Sequence, residues 1–290
     1  MRHDVRPEKD GGLKDDHLRP GQTVSVDQYV SKIKGRLPHT RGKETSTSMY
    51  VGGTIYIDHA SSFIYCVNQV SLETTGTLQG KHDFEREARS CGVSIGAYRG
   101  DNGIFRSKGW IDDLQQRSQH MEFSGVGAHH QNGVVERAIR TITESARTML
   151  LHATIHWPDS MSLELWPFAL HYAVKTWNHL PRQDTKLAPI EVFTGLPQDP
   201  IILRDFHVFG CPAYVLDPTL QDKRKLPRWN PRSRRGQFLG MSRRHANNIG
   251  LIRNLQTHAV STQFHVVYDD RFTTLPTNGL EDQDNNPPAD

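Results

Sequence analysis

The sequence is poor in the residues that define several classes of protein. Its 290 residues include only three cysteines, Cys66, Cys91 and Cys211, and none of them forms the Cys-x-x-Cys spacing of a zinc knuckle. This scarcity argues against a disulfide framework and makes a reduced intracellular compartment the default. No apolar run approaches the roughly 20 residues that a membrane helix needs, and the polar start lacks the apolar segment of a secretory signal. We therefore expect neither a membrane partner nor secretion.

A strong overall charge is also absent, but the charge that exists is unevenly distributed. The net charge of +3 is too small to indicate a polyanionic partner by itself. Between positions 222 and 244, however, nine basic residues stand against one acidic residue. They are Lys223, Arg224, Lys225, Arg228, Arg232, Arg234, Arg235, Arg243 and Arg244. This segment is a candidate for binding nucleic-acid phosphates or for a nuclear address, and a solvated loop is the alternative.

The hydrophobic pattern divides the chain into two folded domains with polar ends. Residues 1–20 mix charges with Gly and Pro and lack a hydrophobic period, so we predict a disordered arm there. A first domain of mixed strands and helices is predicted at 21–182, and an irregular, proline-containing connector at 183–205. Short β-type runs at turn-bounded intervals predict a small β-barrel at 206–273. A disordered acidic tail is predicted at 274–290.

Within the first domain, three strand-like runs precede alternating helices and strands. Strands are predicted at 23–30, 49–58 and 61–70, as an antiparallel meander, and at 92–98 and 120–123. Helices are predicted at 73–91, 107–117, 133–151 and 160–180. The strands predicted for the barrel are 208–216, 236–240, 250–253 and 264–268. A central sheet with helices laid against it is therefore expected.

The helix predicted at 133–151 has the clearest periodicity in the chain. With about 100° per residue, its apolar residues fall on one face, and Glu136, Arg140, Thr143 and Arg147 form a polar stripe beside it. Such a helix can pack its apolar face on a sheet. Its rim would then present one carboxylate and two guanidinium groups to a cleft.

Three carboxylates occur where one sheet and one helix could bring them together. Asp27 lies inside the first predicted strand, Asp101 follows the fourth, and Glu136 begins the clear helix. Phosphodiester chemistry needs an activated oxygen nucleophile, a stabilised leaving oxygen and neutralised phosphate charge, and two hard cations supply all three. Carboxylates without clustered Cys or His favour Mg²⁺ or Mn²⁺ over zinc. The triplet alone is weak, because the chain holds 32 acidic residues.

Each of these residues also has an ordinary structural interpretation. Asp101 in Asp-Asn-Gly is a typical turn former, and Glu136 suits the first turn of a helix through the helix macrodipole. Asp58 ends a predicted strand and is a rival ligand, but a turn-capping role is favoured. His129 and His130 could suggest zinc. Without further ligands at suitable spacing, a role in a loop close to DNA is favoured for this pair.

Residues around Glu136 are candidate contacts to DNA. Arg137 and Arg140 could reach phosphates from the helix, although exposed helical arginine is common. Asn132 and Gly133 could let the preceding loop bend over DNA, with simple helix capping as the alternative. These residues therefore join the basic segment as possible nucleic-acid contacts.

The sequence motifs around the three carboxylates are more specific than the carboxylates themselves. Asp101 stands in Asp-Asn-Gly, and Glu136 stands 35 positions later in Gln-Asn-Gly-x-x-Glu-Arg. Three more motifs follow in order, namely Trp177-Asn178-His179-Leu180-Pro181, the run from Phe206 to Val215, and Gly236-Gln237-Phe238-Leu239-Gly240. In this combination, over roughly residues 22–272, the sequence resembles the integrase core of copia-type LTR retrotransposons and the related retroviral enzymes.

The resemblance implies both a fold and a reaction. The fold class is α/β, with a ribonuclease-H-like mixed five-stranded sheet and flanking helices, followed by a small all-β barrel domain. Asp27, Asp101 and Glu136 would be catalytic and would hold two Mg²⁺ or Mn²⁺ ions, with Asp27 bridging both. The implied activity trims the 3′ ends of element DNA with water. The new 3′ hydroxyl then attacks target DNA without a covalent protein intermediate.

The resemblance also implies partners and a place of action. Double-stranded DNA, as element ends and as target, would be bound by a homo-oligomer, and the reverse transcriptase of the same polyprotein is a further candidate partner. The expected DNA contacts are Asn132, Gly133, Arg137, Arg140, Lys223, Arg224, Lys225, Arg232, Arg234 and Arg235. We expect action in the nucleus, with the protein cytoplasmic beforehand.

Two features depart from the family pattern. The family carries a His-His-Cys-Cys zinc module before its core, and the sequence holds no such ligand set, so we expect an incomplete integrase or a processed piece of a polyprotein. Asp27 is followed by Gln28-Tyr29-Val30 instead of a Phe-Gly-Pro-type turn, which leaves the carboxylate in place. Two other functions stay open. One is a catalytically incompetent DNA-binding fragment of a decayed or host-recruited element, and the other is a nuclease of RNA–DNA hybrids, against which the barrel motifs argue.

Overall fold

The computed structural model describes residues 18–38, 49–123, 132–246 and 248–275. The predicted arm and acidic tail lie almost entirely outside these ranges. Within them the chain forms ten β-strands and six α-helices. Among the helices of these ranges, none combines the length and the apolar character that spanning a membrane requires.

The regular elements follow the predicted alternation of strands and helices. The first five strands are β1 (Val24–Gly35), β2 (Tyr50–Asp58), β3 (Ile64–Gln69), β4 (Ala97–Gly100) and β5 (His120–Phe123). The helices are α1 (Thr74–Ser90), α2 (Lys108–Gln116), α3 (Gly133–His156), α4 (Trp166–His179), α5 (Pro189–Thr194) and α6 (Pro218–Gln221). The last five strands are β6 (Pro212–Leu216), β7 (Ser233–Met241), β8 (Gly250–Asn254), β9 (Val260–Gln263) and β10 (Val266–Tyr268).

The first five strands form one mixed sheet in the order β3-β2-β1-β4-β5. Strands β2 and β3 are antiparallel, whereas β1 pairs with β4, and β4 with β5, in parallel. A parallel neighbour requires a crossover connection, and helix α1 supplies the one that brings the chain from β3 to β4. The predicted ribonuclease-H-like mixed sheet of five strands with flanking helices is confirmed.

The described chain forms two compact units that are not consecutive stretches of sequence. The first comprises Met1–Val30, Gly52–Arg140 and Trp177–Gln198, and the second comprises Ser31–Val51, Thr141–Thr176 and Asp199–Asp290. The boundaries fall inside β1, β2, α3 and α4. The division into domains at 21–182 and 206–273 stays a prediction.

Aromatic side chains dominate the core of the first unit. Tyr56 of β2 stacks on Phe84 of α1 with ring centroids 4.7 Å apart, and Tyr98 of β4 meets Trp110 of α2 edge-on at 5.6 Å. Such pairs contribute about 0.5–1.5 kcal/mol beyond their burial. Aromatic contacts therefore hold α1 and α2 on the sheet.

A buried lysine ties α1 to α2 in the same unit. Lys81 has no exposed side-chain surface, and its Nζ lies 2.6 Å from Asp113 Oδ2 and 2.7 Å from Glu85 Oε1, while it donates to Gln119 Oε1 at 2.8 Å. Burial by itself raises the pKa of Asp113, but hydrogen bonds from Lys81 and His82 outweigh it and hold that pKa at about 2. The ammonium group is thus buried only because carboxylates surround it.

The Trp177-Asn178 motif has a structural role in the first unit. Asn178 Nδ2 donates to the Ile64 carbonyl at 2.7 Å, and Ile64 N–H donates to Asn178 Oδ1 at 2.9 Å, so the amide pairs with β3 as a neighbouring strand would. Trp177 Nε1 donates to the Ser62 carbonyl at 2.9 Å. This motif therefore satisfies backbone groups at the edge of the sheet.

Three predicted boundaries in the first domain were wrong. The strand expected at 92–98 is β4 at Ala97–Gly100, because Gly92 adopts a left-handed conformation (φ +76°) after α1 and the next residues pack in the core outside the sheet. The helix expected at 133–151 continues to His156. The helix expected at 160–180 begins only at Trp166, after a 3₁₀ turn capped by the side chain of Ser162.

The second sheet is antiparallel throughout, in the order β10-β6-β7-β8-β9. In this unit Trp157 Nε1 donates to the Gly210 carbonyl at 2.7 Å. Gly210 has φ +81°, and a Cβ there would collide with Ala153, so only glycine fits. The Phe-Gly-Cys-Pro motif thus marks a close approach of backbone to helix α3.

Three elements of the C-terminal half were not predicted, and one of them is the four-residue helix α6. Strand β9 has the polar sequence Val-Ser-Thr-Gln and lies at the edge of its sheet, so it carries little hydrophobic pattern. Helix α5 lies in the supposedly irregular connector, where Glu191 Oε2 accepts a hydrogen bond from Ala188 N–H at 2.8 Å. Phe193 of this helix stacks on Phe63 with ring centroids 4.3 Å apart. Tertiary packing therefore stabilises a helix that is too short to be stable alone.

We expect Asp113→Asn to lower the free energy of unfolding by about 3 kcal/mol at neutral pH, because it deprives the buried Lys81 ammonium of one carboxylate. The folded-state pKa of Asp113 is about 2, below the ordinary 3.8. The stability that this carboxylate contributes is therefore complete above about pH 4 and is lost as the pH falls through about 2. Urea unfolding should show the wild type and the variant converging over that interval.

Asp83→Asn on the same helix is the matched control. Asp83 pairs with the exposed Arg86 at 2.6 Å, so its loss should change the unfolding free energy by less than about 1 kcal/mol. Equal losses in the two variants would contradict the role assigned to the buried pair.

Candidate active site

Asp27 lies on β1 with a half-buried side chain. Its Oδ1 accepts a hydrogen bond from the backbone N–H of Gln28 at 2.7 Å. The Gln28 side chain in turn donates to the Leu72 carbonyl at 3.1 Å and to Thr77 Oγ1 at 2.9 Å. The strand segment that carries the carboxylate is therefore anchored to the start of helix α1 and the residues before it.

Asp101 follows the last residue of β4, as the sequence predicted. The parallel register pairs Ser25 of β1 with Arg99 of β4, and Asp27 and Asp101 are each two residues further on. Asp27 is therefore on the strand next to β4, and Asp101 is the first residue after β4 ends. The exposed Asp101 accepts a hydrogen bond from Gly103 N–H at 3.1 Å.

Glu136 lies in the first turn of α3 and is exposed. The neighbouring Val135 and Ala138 are buried, so the apolar face of the helix is packed and its polar rim faces outward. Arg137 and Arg140 are also exposed. The helical phase predicted for these residues is thereby confirmed.

The three carboxylates interact electrostatically. The pKa of Asp27 is raised from 3.8 to about 6. Burial is the largest cause, the hydrogen bond from Gln28 opposes it, and the negative charges of Asp101 and Glu136 raise the pKa further. The structure therefore brings the three predicted site residues into one electrostatic neighbourhood within the first unit.

Asn132 is the fourth polar residue of this neighbourhood. Its side chain is 5% exposed, and its Nδ2 lies 3.3 Å from Asp27 Oδ2. Its Oδ1 is buried and finds no hydrogen-bond partner among the residues that the structure describes, which is costly unless a donor or a cation completes it. The sequence predicted Asn132 to be a loop or DNA contact, and only the folded structure shows that its amide faces Asp27.

The chemistry of these groups fits a hard divalent cation. A positive ion would reduce the repulsion among the carboxylates and would give the Asn132 amide oxygen a partner. All the candidate ligand atoms are oxygens, which hard cations prefer. Across the described ranges, no three His, Cys, Asp or Glu side chains already surround a common point closely enough to hold a metal. Asp27 is the anchored member of the set, whereas Asp101 and Glu136 are exposed side chains.

A second polar group on the same sheet face was not predicted. Ser25 Oγ lies 2.7 Å from His59 Nε2, and burial, followed by the charge of Arg99, lowers the pKa of His59 to about 4. Arg99 forms an ion pair with Glu122 of β5 at 2.5 Å. The sequence offered no signal for this group, because it depends on the register between β1, β4 and β5.

Asp58 has the structural role that the sequence favoured. Its carboxylate accepts hydrogen bonds from Gly21 N–H at 2.7 Å, Ser61 N–H at 2.8 Å and Ser61 Oγ at 2.6 Å. These bonds satisfy the carboxylate within a turn, so the turn-capping interpretation is confirmed. His129 and His130 lie outside the described residues.

The basic segment belongs to the second unit and is largely exposed. The exposed members of the predicted DNA-binding set are Lys223, Arg224, Lys225, Arg232 and Arg235. Arg234 is half-buried, and its Nη1 is buried without a partner. The guanidinium of Arg235 lies 5.6 Å from the ring centroid of Trp157. Gly133, the remaining predicted contact, is half-buried at the start of α3.

Two solved structures resemble this chain, both with low identity. The HTLV-2 integrase catalytic core domain in complex with magnesium, in its trimeric form, gives a TM-score of 0.44 with 16% identity and covers 61% of this chain and 98% of that chain. The simian T-cell lymphotropic virus intasome in complex with PP2A regulatory subunit B56 gamma gives a TM-score of 0.47 with 14% identity and covers 87% of this chain and 79% of that chain.

Two curated proteins of Arabidopsis thaliana are similar to the chain in sequence, whereas no family model matches it. The retrovirus-related Pol polyprotein from transposon RE1 is 30% identical over 220 residues, which is 74% of this chain. The corresponding polyprotein from transposon RE2 is 32% identical over 232 residues, which is 77% of this chain. The chain spans 14% of the length of each relative. It therefore belongs to the retrovirus-related Pol polyproteins of transposons, as an integrase-type segment.

Proposed function

We propose that this chain is a retrotransposon integrase that carries out metal-dependent 3′-end processing and strand transfer of element DNA into target DNA. The observation that carries the proposal is the placement of Asp27 on β1, of Asp101 just after β4, the parallel neighbour of β1, and of Glu136 in the first turn of α3. These are the three carboxylates that the motifs single out, and they come from two parallel strands and one helix. The homology to transposon Pol polyproteins supports the same assignment.

Each residue of the site has a distinct task in this proposal. Asp27 is the central ligand, because it is anchored by Gln28 and Asn132 and lies near both other carboxylates. Asp101 and Glu136 each complete one metal position from an exposed side chain. Two bound Mg²⁺ or Mn²⁺ ions would activate the attacking hydroxyl and stabilise the leaving oxygen.

Other residues of the chain would bind and orient the DNA. Arg137 and Arg140 lie on the exposed side of the helix that carries Glu136, where guanidinium groups can contact phosphates. The exposed cations of the basic segment would add contacts that are independent of sequence. The proposed partners are double-stranded DNA, further copies of this chain and the reverse transcriptase of the same polyprotein, and the proposed place of action is the nucleus.

Asp27→Asn, Asp101→Asn and Glu136→Gln should each lower Mg²⁺-dependent strand transfer by about a thousandfold, while DNA binding changes little. Each variant removes a ligand worth several kcal/mol of charge stabilisation, and about 1.4 kcal/mol corresponds to a factor of ten in rate. The measurement is strand transfer of a duplex that carries the terminal sequence of the element, with and without an added upstream zinc module.

Glu144→Gln is the matched control for this series, because Glu144 is an exposed carboxylate on the same helix as Glu136. It should keep wild-type activity. Strand transfer that persists in any of the three site variants would overturn the assignment of that residue. DNA binding without any metal-dependent product in the wild type would favour the catalytically incompetent fragment, and preferential cleavage of an RNA–DNA hybrid would favour the nuclease.

Binding of Mg²⁺ or Mn²⁺ should stabilise the wild-type protein against thermal unfolding, by about 2.7 kcal/mol at a concentration of 100 Kd. The physical reason is that the ion would offset the cost of keeping a half-buried Asp27 carboxylate charged, together with its smaller repulsion from Asp101 and Glu136. Asp27→Asn should abolish the stabilisation. Asn132→Ala should weaken the affinity by about 10–100-fold, because it removes the group that orients Asp27.

Glu144→Gln serves again as the control and should respond to the ions as the wild type does. Stabilisation of equal size in Asp27→Asn would show that the ions bind elsewhere on the chain.

A further inference from the structure

The basic segment carries one aromatic side chain at the tip of a turn. Asn230 N–H donates to the Pro227 carbonyl at 3.1 Å, which closes a β-turn with Arg228 and Trp229 at its two central positions. Trp229 is 90% exposed, the largest exposed fraction among the large apolar side chains that the structure describes. The indole therefore projects into solvent from the turn.

The turn is held at both ends by backbone hydrogen bonds. Before it, Arg224 N–H donates to the Thr219 carbonyl at 3.0 Å, and after it Asp217 N–H donates to the Arg232 carbonyl at 2.9 Å, next to the start of β7. The segment is thus a closed loop on the second sheet. The indole at the tip of this loop can rotate about only two side-chain bonds, because the backbone that carries it is fixed. Little conformational entropy is therefore lost when the ring binds a flat partner.

The charged residues nearest to Trp229 along the chain are all basic. From Lys223 to Tyr268 the sequence contains ten Lys and Arg residues and no Asp or Glu. Lys225, Arg228 and Arg232, the basic residues nearest to Trp229 along the chain, are all exposed. An ordinary solvated loop would explain the cations, since exposed charges are common, but not an exposed indole placed among them.

A flat aromatic face surrounded by cations matches the chemistry of a nucleotide. The ring can stack on a base, and the neighbouring guanidinium groups can contact the phosphates on either side. In the interior of a duplex both faces of each base are covered by neighbouring bases. Only an unpaired or terminal nucleotide offers an open face.

We infer that Trp229 stacks on an unpaired nucleobase and that Arg228 and Arg232 contact the adjoining phosphates, so that this loop recognises DNA with a single-stranded end. The inference deepens the proposed function and rests on it for the choice of DNA. Trimming of the 3′ strand by water leaves the opposite 5′ nucleotides unpaired. The loop would therefore favour the processed end over the blunt end.

A lipid surface is the competing partner for tryptophan among basic residues. It is disfavoured here because the turn offers a single indole flanked by Arg228 and Asn230, and both of these residues are exposed. Interfacial anchors need a larger apolar face than one ring. Membrane binding is therefore an outcome that would overturn the inference.

The test compares two labelled DNA duplexes of the same paired length, one blunt and one with a short 5′ overhang, bound to the full chain in EDTA at fixed salt. Without divalent ions no metal-dependent cleavage interferes. Trp229→Ala should weaken binding to the overhang duplex by about tenfold, the loss of one stacked base, and should change binding to the blunt duplex by less than about twofold. Trp229→Phe should retain most of the preference.

Two further variants act as controls. Phe264→Ala removes another exposed aromatic of the second unit, 58% exposed, and should leave both affinities unchanged. Lys225→Gln should weaken binding to both duplexes alike and reduce its salt dependence. Because Trp229 contributes little buried surface, thermal unfolding of Trp229→Ala should match that of the wild type.

Equal losses of Trp229→Ala on both duplexes, or no loss on either, would overturn the inference. The inference would also be overturned if vesicles of phosphatidylcholine and phosphatidylserine shifted the fluorescence emission of Trp229 while the overhang had no effect on DNA binding. The outcome is independent of catalysis. If the wild type prefers the overhang duplex and Trp229→Ala loses that preference, the inference holds even when strand transfer fails. If strand transfer is active but the wild type shows no such preference, only this inference is overturned and the proposed function is not.

Discussion

The parallel pairing of β1 with β4 is the constraint on which the candidate site depends. It places the strand that carries Asp27 beside the strand that ends just before Asp101, although 73 residues separate the two carboxylates in the sequence. Burial is the main reason that the pKa of Asp27 is raised to about 6, and the negative charges of Asp101 and Glu136 raise it further. A folded protein keeps such an unfavourable arrangement only where the rest of the fold compensates for it. Carboxylates gathered against their own repulsion are typical of functional sites.

The compensation in the first unit comes from packing and from satisfied polar groups. A stacked aromatic pair joins the sheet to α1 and an edge-on pair joins it to α2, and the Lys81 cluster links the same two helices through buried ion pairs. Asn178 completes the backbone hydrogen bonding at β3. Some motifs that carry the family resemblance are therefore structural, because they hold the sheet edge or allow backbone to approach a helix. Others surround Asp101 and Glu136, the exposed carboxylates of the proposed site.

The second unit uses its polar residues differently from the first. Its antiparallel sheet supports a loop that is basic, exposed and tipped by an indole, and no buried partner explains these features. Charges in this loop are far enough into solvent to be screened by salt, so they suit a polyelectrolyte partner better than an internal ion pair. In the proposed function, chemistry would depend on the carboxylates of the first unit and binding on the exposed cations and the aromatic ring of the second.

The sequence by itself determined the helix phase, the order of the elements and the identity of the three carboxylates. Apolar periodicity decides which face of α3 is buried. The motifs around Asp101 and Glu136 consist of residues that are neighbours in the sequence, so they can be recognised without the folded structure. Only the tertiary structure decided that Asn132 faces Asp27, that Ser25 meets His59, that Val93 packs in the core outside a strand, and that the polar segment Val260–Gln263 pairs as an edge strand. The physical reason is that strand register, amide orientation and edge pairing arise from contacts between residues far apart in the chain, whereas helical periodicity and turn motifs are properties of neighbours.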